Sequence, residues 1–132
     1  SRKNVWWIKE MAPLHELTAL LTHAQLFLCP SIYEPLGIVN LEAMGCETAV
    51  LASRVGGIPE VVAHNETGRL VDYDSNNTAK FESDFTIQIE ELMSNAALTT
   101  DMGKAGRIRA EKHFGWDAVA KQTIQLYNSL LK

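Results

Sequence analysis

The stretch LFLCPSIYEPLGIVNLEAMGCETAVLA, residues 26–52, decides the fold. It opens with an apolar run, Leu26-Phe27-Leu28-Cys29, stopped by Pro30-Ser31. Gly37 to Gly45 reads as a helix, and Ala49-Val50-Leu51-Ala52 is a second apolar run. Short apolar runs between turn signals read as strands buried on both faces. A helix between two of them makes a βαβ unit and a parallel sheet. Outward from there, Val5-Trp6-Trp7-Ile8 predicts a further buried strand, and Leu14, Leu17, Leu21 and Ala24 predict a helix over 14–24. On the other side, Gly56-Gly57 is a turn, and Pro59 suits the first turn of a short helix ending near His64. Asn65-Glu66-Thr67-Gly68 is another turn, and Arg69-Leu70-Val71 is a strand. The expected fold class is α/β, a Rossmann-like parallel sheet with flanking helices.

After Tyr73 the character changes. Asp74-Ser75-Asn76-Asn77-Thr78 is a loop with capping residues at its end, and helical segments are expected at about 79–95, 97–113 and 116–131. One domain over 1–132 thus has a βα-alternating part, 1–74, and a helical part, 75–132, and ends in a helical segment.

Composition narrows the function. A chain of 132 residues supports one domain. Surface scaling gives roughly 6,900 Å² exposed when folded against roughly 21,000 Å² unfolded. The net charge of -4 argues against a nucleic-acid partner, and the apolar runs are too short for a membrane span. Ser1-Arg2-Lys3-Asn4 precedes an apolar stretch too short for a secretory signal. Cys29 and Cys46 read as free thiols of a reducing, cytoplasmic protein. His15, His23, His64 and His113 are scattered, so no metal site is expected.

In such sheets, ligands bind at the carboxyl ends of the strands. The loop after Cys29 ends in Glu34-Pro35-Leu36-Gly37 as the next helix starts. The first amides of a helix lack partners within it and carry partial positive charge, which suits a phosphate. Gly37 allows close approach of backbone to an anion. Glu34 and Glu42 stand eight positions apart, about 12 Å if the segment were wholly helical, too far for a proton-sharing pair. That spacing suits two carboxylates gripping separate parts of a long, hydroxyl-rich ligand. The plainer alternative makes Glu34 a helix-start acid and Glu42 a solvated residue.

Phe27-Leu28-Cys29-Pro30-Ser31, Glu34-Pro35-Leu36-Gly37, Glu42-Ala43-Met44, Ala52-Ser53, Val55 to Val62 and Glu66-Thr67-Gly68 resemble the carboxyl-terminal domain of retaining, two-domain (GT-B) glycosyltransferases of the group 1 type. The likeness is strongest to bacterial glycogen synthase-like enzymes and extends to Phe114-Gly115-Trp116. It implies that Glu34 is the candidate catalytic-site residue, binding hydroxyls of the transferred sugar. The backbone at Leu36, Gly37 and Ile38 would face sugar and distal phosphate, and Glu42 the ribose. The backbone around Ile8 and Lys9 would lie near the base. Trp6 and Trp7 are expected in the core or an interface. Glu47 stands where the family usually has a helix-ending glycine, which implies a small local stability cost.

Between Pro30 and Ser75 lie seven acids, Glu34, Glu42, Glu47, Glu60, Glu66, Asp72 and Asp74, against two bases, Arg54 and Arg69. In the family, an Arg and a Lys earlier in the same domain neutralise the diphosphate, and an amino-terminal domain binds the acceptor. Neither is found in this sequence, so the resemblance implies a fragment, inactive alone, with sheet edges open to self-association. The whole enzyme would move glucose from ADP- or UDP-glucose to an α-glucan or related acceptor, with no cofactor beyond that donor. The alternative is a non-catalytic sugar-nucleotide-binding or protein-interaction module. Lys104, Arg107, Arg109 and Lys112 read as a solvated helix face, and Gly56-Gly57 as a structural turn.

Overall fold

Three short strands, β1 (Phe27–Cys29), β2 (Val50–Ser53) and β3 (Gly68–Val71), lie parallel in the order β1-β2-β3. Phe27 pairs with Val50 and Val50 with Gly68, so the carboxyl ends of all three strands share one edge. The computed structural model describes residues 3–131. Helix α1 (Leu14–His23) precedes β1, α2 (Ile38–Gly45) links β1 to β2, and α3 (Ile58–Val61) lies between β2 and β3. Helices α4 (Thr78–Met93), α5 (Ala96–Phe114) and α6 (Trp116–Leu130) complete the chain. The Asn77 and Asn95 side chains accept from the Lys80 and Leu98 amides and so start α4 and α5.

Alternation along β2 divides the core. Val50 and Ala52 pack with Leu21, Ala43, Met44, Ile58 and Val61 on one face. Leu51 packs on the other with Phe81, Phe85 and Leu92 of α4 and Met102 of α5. All four β2 residues are buried, as a central parallel strand requires. Thr48 ties the start of β2 to α1, its hydroxyl donating to the Leu21 carbonyl.

Helix α5 fastens this frame through residues that read as a solvated face. The Arg107 guanidinium donates to the Gly45 carbonyl at the end of α2. Arg109 donates to the carbonyls of Glu60 and Val61 at the end of α3, each at 2.8 Å. Both place positive charge on the negative end of a helix. Gly103 lies so close to α2 that a Cβ there would stand 1.9 Å from the Glu47 carbonyl oxygen.

Two expectations fail. Val5-Trp6-Trp7-Ile8 is not a strand, and Trp6 and Trp7 are 84% and 81% exposed, which rules out the core and leaves the interface of their two expected places. Among the described residues no strand pairs with the outer edge of β1, so nothing supplies this run with a sheet ladder and two covering faces. The accessible surface is 9411 Å², well above the roughly 6,900 Å² that scaling gives for a compact chain of this mass. Exposed large apolar side chains lie in the amino-terminal segment, at the α2 turn and on α6, among other places. The short helix expected to reach His64 ends at Val61, because Val62 takes an extended conformation.

The turn at the start of α2 as a candidate functional site

Glu34 lies in the loop after β1, and its backbone is held from β2's side of the edge. The Gly57 amide donates to the Glu34 carbonyl at 3.0 Å. A Cβ on Gly56, whose φ is 52°, would fall 1.9 Å from that same oxygen. Gly56-Gly57 is therefore the structural turn its sequence suggests, and it fixes the height of Glu34 above the sheet edge.

The Glu34 side chain turns back onto the helix start. Its Oε1 accepts from the Gly37 amide at 3.0 Å. Gly37 caps α2 at φ 90°, a conformation that a side chain there would strain. The next amides are open: among the described residues, Ile38 and Val39 have no protein acceptor for their N–H groups. Asn40 already donates its N–H to the Gly37 carbonyl. The turn thus offers two free amides at the positive end of an eight-residue helix, with one carboxylate holding the amide before them.

Glu42 is exposed on α2 one turn beyond Ile38, which is also exposed, so the two share a helix face. Because α2 begins only at Ile38, the 12 Å figure for a continuous helix does not describe Glu34 and Glu42. Leu36 and Ile38 bring apolar, partly exposed side chains to the same turn. Ile8 stands elsewhere: it is exposed and lines a hollow with Glu16, Ala19, Leu20 and His23 of α1.

Both local bases are engaged. Arg54 pairs with Asp72 at 2.8 Å, and Arg69 pairs with Glu91 and donates to Gln88. A hollow between β3 and α4 is lined by Arg69, Asp72, Gln88 and the Lys80–Asp84 pair, away from the α2 turn. His64 at its rim accepts the Leu70 amide on Nδ1. Partial burial, with Arg54 and Arg69 nearby, holds the imidazole below its usual pKa.

Sequence reasoning missed Asn40. It is wholly buried, yet neither its Nδ2 nor its Oδ1 has a hydrogen-bond partner. Leaving such a group unpaired costs about 1–3 kcal/mol. Its place three residues after Gly37 was visible in the sequence, but its burial was not.

A family model described as glycosyl transferases group 1 matches residues 1–109. Alpha-maltose-1-phosphate synthase of Mycolicibacterium smegmatis is 47% identical over 130 residues, covering 98% of this chain and 34% of that protein. The chain thus spans about a third of the length of that relative. Among solved structures, sucrose-phosphate synthase from Thermosynechococcus elongatus superposes with a TM-score of 0.68 at 39% identity, over 89% of this chain and 28% of that one. The Anabaena HepE protein, solved in complex with UDP and glucose, gives 0.68 at 24% identity over 83% and 29%, a likeness of fold.

Proposed function

We infer the function from one premise: this chain belongs to the glycosyl transferases group 1 family. From it we propose that the chain is the donor-binding part of a retaining glycosyltransferase that uses ADP- or UDP-glucose. The observation that carries this is the open pair of amides at Ile38 and Val39, set at the carboxyl edge of a parallel sheet beside Glu34.

In this reading the distal phosphate takes the Ile38 and Val39 amides. Glu34 binds hydroxyls of the sugar, Glu42 the ribose, and the backbone of Leu36 and Gly37 lines the sugar. The backbone around Ile8 and Lys9 would lie near the base. The bond from the anomeric carbon to the diphosphate breaks with its electron pair leaving on the phosphate oxygen, one to an acceptor hydroxyl oxygen forms on the same face, and the hydroxyl proton passes to the departing phosphate. Helix amides stabilise the charge that collects on the leaving group. No metal is required by this scheme. Glu34 acts by binding and orientation.

A maltose phosphate contains two glucose units, so the name of the 47% relative favours glucose as the transferred group. The acceptor would be an α-glucan or related sugar, held by residues outside this third of the protein. With Arg54 and Arg69 both paired, extra positive charge for the diphosphate would also come from outside it. The chain alone therefore binds donor weakly and does not turn it over. Free Cys29 and Cys46 suit a reducing, cytoplasmic setting.

Calorimetric titration with ADP, UDP and their glucose conjugates tests this reading. Glu42→Ala should weaken all ligands of the preferred base by about tenfold, the worth of one or two charged hydrogen bonds. Glu34→Ala should weaken only the glucose conjugate. No binding of any of the four at millimolar concentration contradicts the donor reading and leaves a protein-interaction module.

A further inference from the structure

Glu34 has two claims on its carboxylate. It holds the Gly37 amide at 3.0 Å in the ligand-free chain, yet the donor reading asks it to hold sugar hydroxyls. Gly37 is buried, so its N–H cannot turn to water once Glu34 leaves. The Asn40 side chain lies beside the same residue. A Cβ on Gly37 would stand 2.5 Å from Asn40 Nδ2 and 3.5 Å from Glu34 Cγ, so both side chains flank one residue. Asn40 is also the third residue of α2 counted from its cap at Gly37. From that position a Glu or Gln side chain reaches back to the capping residue's amide in the capping box, and asparagine carries the same amide group as Gln on a stem one methylene shorter. Its Oδ1 and Nδ2 are both buried and both unpaired. A half-turn about its terminal torsion exchanges the two atoms without changing the packed shape, and such torsions are broad and two-fold.

We propose that Asn40 is a reserve cap for α2, and hence a positioning residue for the donor sugar. This rests on the donor reading of Glu34. When sugar hydroxyls draw the Glu34 carboxylate off Gly37, Asn40 Oδ1 accepts the Gly37 N–H. The turn keeps its shape, and the Ile38 and Val39 amides stay aimed at the phosphate. A nucleoside diphosphate without a sugar leaves Glu34 in place and makes no use of Asn40. Asn40 thereby favours the sugar-bearing donor over the bare nucleotide.

The first test needs no ligand. Glu34→Ala is made in the native chain and in Asn40→Leu, and Tm is read for all four proteins. A reserve cap predicts that the Tm loss on Glu34→Ala is at least about twofold larger with leucine at position 40, since contacting groups couple. Equal losses in the two backgrounds overturn the proposal. If Asn40→Leu does not fold, Asn40→Ala completes the same cycle. The second test is calorimetry with UDP-glucose against UDP, and ADP-glucose against ADP. Asn40→Leu should lower the preference for the sugar conjugate by about tenfold, one buried hydrogen bond's worth. Its ligand-free Tm should hold or rise, because leucine removes two unpaired polar atoms. A fall in Tm with parallel weakening of both ligands is the mark of a packing residue and overturns the proposal. A native chain that does not prefer the conjugate overturns the donor reading instead, and the ligand-free cycle still decides whether Asn40 is a reserve cap.

Discussion

Glu47 takes φ 60°, where an L side chain crowds its own backbone. Its carbonyl abuts Gly103, so the left-handed turn is fixed by the packing of α5 on the end of α2. Glycine suits that conformation, and the ion contact of Glu47 with Arg107, 3.9 Å and half exposed, is worth little. Glu47→Gly should therefore raise stability by about 0.5–1 kcal/mol, read as a higher Tm. A lower Tm would contradict the strain. This residue was legible in the sequence because the family resemblance expects glycine there. Asn40 was not, since being buried and unpaired are properties of tertiary packing, and a buried asparagine on a helix reads the same as an exposed one. The helix-end contacts of Arg107 and Arg109 on this exposed face were not legible for a related reason: the carbonyls they hold belong to helix ends about fifty to sixty positions away.

At the scale of elements, three apolar runs became strands and a fourth did not. Residues 26–29, 49–52 and 69–71 each have a parallel neighbour, and helices cover the sheet. Val5 to Ile8 is as apolar but finds no neighbour among the described residues. Pairing is a property of two segments, and one segment's pattern shows only half of it. The start of β3 also carries a titratable link. His64 Nδ1 accepts the Leu70 amide, so the folded state needs that nitrogen unprotonated, and the folded pKa is lowered. The stability it contributes is therefore present above the ordinary histidine pKa of about 6.5 and lost as pH falls through the lower folded value. Between pH 7 and pH 5 the native chain should lose more Tm than His64→Gln does. Identical slopes would contradict the link.

The whole molecule exposes more surface than its mass predicts, and many large apolar side chains are exposed. Trp6, Trp7, Leu28, Trp116 and Tyr127 are all exposed, and β1 offers an unpaired outer edge among the described residues. Large apolar patches and open strand edges seek partners. The chain should self-associate as concentration rises, read by light scattering as a rising mean mass. A constant monomer mass at high concentration would contradict this.

The central claim is that the start of α2 cradles the phosphate of a sugar nucleotide. Amide proton–nitrogen spectra of the chain, recorded while UDP-glucose and ADP-glucose are added, test it most directly. The account predicts that the Ile38 and Val39 amides, open in the ligand-free chain, show the largest shifts and move downfield as a phosphate accepts them. Saturation with either donor that leaves those two resonances where they began would contradict it.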